Sequence, residues 1–143
     1  MPRKKRTDVQ LPLSEMAGEA PLRRELPQDI EAEQGLLGSI LLDPARVLDI
    51  CTAKGVVAEA FVEPSHRSIY AAITRLASKG QPVDGITVSN FLKGTGDLEA
   101  VGGVRALTEL MDRTPTSAHA GYYAELVMEQ YLRAVRPEFM PQD

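Results

Sequence analysis

From Pro64 to Gly80 the chain places His66, Ile69, Tyr70, Ile73, Leu76 and Ala77 three and four residues apart, with proline at the start and glycine just after Lys79. That spacing puts six side chains on one face of an α-helix, and such a face must be buried against other elements. Proline suits a helix's first turn and glycine its end, so the punctuation agrees with the periodicity.

The same grammar recurs on both sides. After Pro27, the stretch Asp29 to Asp43 carries Ile30, Leu36, Leu37, Ile40 and Leu41 at helical spacing behind an acidic first turn of Asp29, Glu31 and Glu33, where negative charge offsets the helix dipole. Gly35 and Gly38 lower its intrinsic helicity, which predicts a close approach by another backbone. Pro44 opens a second helix with a Val47, Leu48 and Cys51 stripe that Gly55 ends. Asp84 or Thr87 opens a fourth with Val88, Phe91 and Leu92, closed by Gly94 and Gly96. After Gly102-Gly103 a fifth turns Val104, Leu107, Leu110 and Met111 inward, and Thr114-Pro115 breaks it. A sixth begins near Ser117, with Tyr123, Leu126 or Val127, Tyr131 and Ala134 as its stripe.

The expected fold is therefore all-α, a compact bundle of about six helices. Gly55 to Val62 is the nearest approach to a strand and is too short and isolated to build a sheet. Residues 1–26 have a basic start, Arg3-Lys4-Lys5-Arg6, scattered prolines and no sustained period, and are expected to be a flexible leader. Residues 27–136 form the head and 137–143 a tail. Leu37, Leu41, Phe61, Ile69, Ile73, Phe91, Leu107 and Leu126 are the expected core.

Several chemistries are excluded by what is missing. A phosphate-cradling loop requires glycine followed directly by lysine, and that dipeptide does not occur in the 143 residues. Gly94-Thr95-Gly96 opens like a dinucleotide fingerprint, but Glu99 stands where its third glycine belongs and no strand precedes it. A single cysteine, Cys51, rules out an internal disulfide and a multi-cysteine metal site, and its helical stripe makes it a small core hydrophobe. His66 reads as a structural histidine bonded to a neighbouring loop and His119 as solvated, neither having a metal-ligand spacing or an identifiable nucleophile.

Charge narrows the partners. The leader holds six basic and four acidic side chains, and residues 27–136 hold ten and fourteen, so the head is mildly acidic. Affinity drawn from phosphate neutralisation would need a basic excess there. No apolar run approaches the roughly 18 residues of a membrane span, which suggests a cytoplasmic chain.

Read in order, Pro27, Glu31-Ala-Glu-Gln-Gly-Leu-Leu-Gly38, Phe61, Pro64-Ser-His66, Ile69-Tyr70, Gly80-Gln-Pro-Val-Asp84, Thr87-Val88, Leu98-Glu-Ala-Val-Gly-Gly103, Leu107, Leu110, Thr114-Pro-Thr-Ser117 and Tyr123-Ala124 resemble the N-terminal domain of DnaB-type replicative DNA helicases over about residues 27–133. The resemblance implies a six-helix head followed by a helical hairpin, with hairpins pairing heads into the collar of a hexameric ring. It implies copies of itself, a DnaG-type primase and a helicase loader as partners, the primase being met largely through the hairpins. It places ATP, magnesium and DNA on a separate C-terminal domain, so this chain needs no cofactor and is not itself an enzyme. Arg136-Pro137-Glu-Phe-Met-Pro141 departs from the family pattern by stopping the sixth helix, and implies a monomer or weak dimer. Tyr122, Tyr123 and Tyr131 are the candidate contact residues, aromatics being enriched in interface cores, although Tyr123 and Tyr131 could equally face the domain's own core. The competing reading is a small helical DNA-binding domain, which would need a recognition helix rich in Arg, Lys, Asn and Gln.

Overall fold

The computed structural model describes residues 27–135. Within them the helices are α1 (Pro27–Leu42), α2 (Pro44–Lys54), α3 (Pro64–Ser78), α4 (Gly85–Thr95), α5 (Gly103–Asp112) and α6 (Ala120–Val135), with a single 3₁₀ turn at Ala58–Ala60. No strand occurs among the described residues, so Gly55 to Val62 is a loop around that turn. The expected leader, the tail and the stop after Arg136 lie outside the described residues.

Local chemistry sets the boundaries. Pro44 and Pro64 sit in the first turns of α2 and α3, where a missing N–H costs nothing. Gly55 closes α2 at φ +73°, a left-handed conformation that side chains resist. At α4 the choice between Asp84 and Thr87 resolves into a reciprocal cap: Thr87 N donates to Asp84 Oδ1 at 2.8 Å, and Asp84 N donates to Thr87 Oγ1 at 2.9 Å.

α1 is the centre of the bundle, packing against α6 along most of its length and against α5, α2 and α3 on its other sides. Leu36, Leu37 and Ile40 are wholly enclosed there, which explains why this helix is apolar nearly all round. The two glycines of α1 mark the closest approaches. A Cβ on Gly38 would stand 2.5 Å from the Leu110 carbonyl oxygen and collide with Thr114 Oγ1, and one on Gly35 would stand 2.6 Å from the Tyr123 ring. The expected backbone approach is thus met at Gly38, while at Gly35 the neighbour is an aromatic ring.

Six of the eight expected core residues are buried, and Phe91 and Leu126 are half-buried against the same cluster. Two face assignments are corrected. Ala77 is exposed although its neighbour Leu76 is buried, and Ala72 is buried instead. Val104 is 56% exposed, because α5 buries the stripe of Leu107 and Leu110 and Val104 lies about 120° of helix rotation from Leu110. Between helices, Lys54 Nζ meets Glu125 at 2.9 Å, and Arg46 donates to the Ser117 carbonyl and hydroxyl at 2.5 and 2.9 Å. These exposed contacts align α2 with α6 and contribute little individually.

Candidate functional site

The buried polar centre of the domain is Glu33 with His66. Because α1 starts at Pro27, Glu33 falls in its second turn rather than the dipole-facing first turn expected of it, and only Asp29 is an acidic first-turn residue. Its carboxylate is nearly sealed from solvent, accepting from Val62 N at 2.5 Å, Glu63 N at 3.3 Å and His66 Nδ1 at 2.7 Å. An ionised carboxylate can only accept, so Nδ1 carries the proton. α3 has no side-chain cap from its own N-cap residue, Glu63, and the residue that binds the amides ahead of the helix comes from α1, thirty positions earlier. His66 is buried and structural as expected, but its partner is α1 rather than a loop. Three donors occupy the carboxylate, so the pair ties α1 to the start of α3.

Cys51 is fully enclosed beside Tyr70, whose hydroxyl donates to the Val56 carbonyl at 3.0 Å. Burial pushes the Cys51 thiol up to about 11, so it is not a thiolate nucleophile near neutrality. Burial also pushes the Tyr70 phenol up. Among the described residues, no three His, Cys, Asp or Glu side chains gather as a metal site, and no helix is long and apolar enough to cross a membrane.

What the surface offers is an apolar groove between α4 and α5. Ile86 (74% exposed) and Val104 (56%) form its banks, Leu107 and Met111 its floor, and Asp84, Ser89, Asn90 and Thr108 its polar margin, around an open volume of about 560 Å³. A Cβ on Gly85 would lie 3.4 Å from Met111 Cε, so the start of α4 sits beside the end of α5. The periodicity missed this site. Ile86 lies off the Val88, Phe91 and Leu92 stripe, and Val104 was placed on the inner face of α5. A bulky aliphatic off the stripe was the available signal.

The three candidate tyrosines do not form one patch. Tyr122 is 61% exposed, whereas Tyr123 and Tyr131 are half-buried and packed against the core. Tyr123 lies over Gly35, 6.0 Å from the Tyr122 ring and 6.5 Å from that of the exposed His119, centre to centre.

Within the described residues, the class of fold is a compact bundle of six short helices, with the Glu33–His66 pair tied into its interior and an apolar groove on its outside. The particular one follows from comparison: residues 25–129 match the family described as DnaB-like helicase N terminal domain, and the chain belongs to that family. It is 42% identical over 104 residues to the replicative DNA helicase DnaB of Geobacillus stearothermophilus, spanning 73% of this chain and 22% of that protein. It is also 42% identical over 110 residues to DnaB of a Synechocystis species, spanning 75% and 12%. The crystal structure of the N-terminal domain of DnaB helicase from Mycobacterium tuberculosis superimposes with a TM-score of 0.71 at 37% identity, covering 80% of this chain and 81% of that one. The chain thus spans about a fifth or less of the length of these helicases.

Proposed function

We propose that the domain is an assembly and partner-binding module of a replicative DNA helicase, one that gathers copies of itself into a ring and receives a DnaG-type primase and a helicase loader. Unwinding of DNA, with its ATP and magnesium, belongs in this reading to sequence outside the chain, and the site of action is the cytoplasm. The observation that carries the reading is the α4–α5 groove: Ile86 and Val104 stand largely in solvent on a domain that had buried positions for such side chains, and apolar surface of that kind marks contact sites. Tyr122 adds an exposed aromatic on α6.

The test is calorimetric titration of the chain with a DnaG-type primase, together with fluorescence anisotropy on single- and double-stranded DNA at two salt concentrations. Primase binding that Ile86→Asp or Tyr122→Ala weakens supports the reading. Saturable DNA binding that falls steeply with salt, with no protein partner bound, would favour the DNA-binding alternative.

A further inference from the structure

A smaller cavity lies where α1, α3 and α5 meet, and it shares no lining residue with the apolar groove. Its volume is about 120 Å³, room for one small side chain or a few waters, and Ile69, Val101 and Leu110 form its apolar wall. His66 lines it and Glu33 does not, so the imidazole meets the cavity by the edge turned away from Nδ1, the edge that carries Nε2. The His66 side chain is 8% exposed, and Nε2 has no hydrogen-bond partner among the described residues. With Nδ1 donating to the Glu33 carboxylate, Nε2 of the neutral ring is a buried acceptor left open, which costs stability until something donates to it.

The rest of the polar wall favours a donor as well. Ser65 donates its proton to Glu63 Oε2 at 3.2 Å and keeps its oxygen as an acceptor. Glu109 and Arg113, both exposed, mark the opening, and their opposite charges do not by themselves choose a ligand. Arg113 is already drawn onto Gln34 Oε1 at 3.3 Å, whereas Glu109 is held only by Arg105 at 3.6 Å. A donor at Nε2 also stands across the ring from the Glu33 carboxylate, whose bond to Nδ1 strengthens Nε2 as an acceptor.

We propose that this cavity takes a primary alkylammonium group, its aliphatic stem against Ile69, Val101 and Leu110 and its nitrogen donating to His66 Nε2, Ser65 Oγ and Glu109. One ammonium carries three donors for these three acceptors, and the small Ala106 on the wall leaves the space open. Two sources supply such a group: a lysine side chain of a partner protein, which rests on the partner-binding reading, and a free amine, which does not.

Butylamine, equal in length to a lysine side chain, is the probe, followed through the imidazole nitrogens of the 15N-labelled chain at about pH 8, above the ordinary histidine range. The His66 signals are expected to shift and saturate at a concentration on the order of millimolar, as suits so small a ligand, while those of exposed His119 stay in place. Ala106→Leu fills the cavity and abolishes the shift. Glu109→Gln weakens binding by about threefold to tenfold, and Arg113→Gln strengthens it, because a competing cation leaves the opening. These positions are exposed or half-buried, so the fold survives, as circular dichroism will show. No saturable shift at His66, or binding that Ala106→Leu leaves intact, overturns the proposal. A response to inorganic phosphate in place of butylamine, removed by Arg113→Gln, overturns it too by making the cavity an anion site. Nα-acetyl-lysine amide binding as well as butylamine supports the lysine source, and its exclusion keeps the site for free amines. A chain that takes butylamine yet binds no primase would fail the partner reading alone, so the two are separable.

Discussion

Replacing Gly38 with alanine adds one methyl group where α1 crosses α5. The new Cβ would stand 2.5 Å from the Leu110 carbonyl oxygen and collide with Thr114 Oγ1, a buried hydroxyl that itself donates to that carbonyl at 2.8 Å. The two helices would have to separate by a large fraction of an ångström. Overpacking of this kind costs about 1–3 kcal/mol, and disturbing the Thr114 bond adds about 1 kcal/mol. Alanine's better helix propensity returns about 1 kcal/mol, leaving a net loss of about 2 kcal/mol.

Gly35→Ala is the internal control, because it gains the same propensity on the same helix. Its Cβ would meet the half-buried Tyr123 ring, at 2.6 Å, a side chain that can rotate outward where a backbone carbonyl cannot. That variant is expected to lie within about 1 kcal/mol of the parent. Urea unfolding followed by circular dichroism measures both, with the Gly38→Ala midpoint expected to fall and the slope to stay unchanged. In a thermal scan a 2 kcal/mol loss corresponds to roughly 10 °C. If Gly38→Ala proves as stable as Gly35→Ala, or more so, α1 and α5 do not meet as closely as the structure places them.

Glu33→Ala should destabilise by about 3–5 kcal/mol, since it strands the Val62 amide and His66 Nδ1 in the interior, and Glu33→Gln, which can still accept a bond, should lose less. Chemical unfolding measures both, and equal losses would show that the charge is not the important part. Ile73→Ala should cost about 2–5 kcal/mol as a large-to-small change at a fully buried position, and Val104→Ala less than about 0.5 kcal/mol. A comparable loss at Val104 would place it inside. The Cys51 thiol ionises near its ordinary 9.0 in the unfolded chain and near 11 in the folded one. Its contribution is therefore complete below pH 9 and lost as pH rises through 11, amounting to about 2–3 kcal/mol. A Cys51→Ala chain should lack that part of the alkaline decline, and identical pH profiles would contradict the burial of the thiol.

The helices were legible because their signals are local. Pro44, Pro64, Gly55 and Gly96 mark ends that depend on backbone conformation at one position, and the α3 stripe from His66 to Leu76 fixes its inner face without knowledge of its neighbours. The errors fall where a neighbour decides. Val104 and Ala77 both satisfy the spacing of an inner residue, yet both are exposed, Ala77 beside a buried Leu76. Glu33 looks like any acidic residue near a helix start, and its role depends on amides thirty positions away. The groove was invisible for the same reason, being a relation between α4 and α5 rather than a property of either.

The bond network around Glu33 also orders events in time. The amides that precede α3 find their acceptor only after α1 has docked, because α3 carries no side-chain cap of its own. A peptide covering Pro64 to Ser78 should therefore fray from its first turn in isolation. In the whole domain, α1 and the start of α3 should gain and lose hydrogen-exchange protection together, as one cooperative unit. Closing the thirty-residue loop between them is an entropic step that precedes the reward, so the contact belongs to the folding nucleus or follows it and cannot form in a chain where only neighbours along the sequence have met. α4, capped by its own Asp84 and Thr87, has no such dependence and can form early.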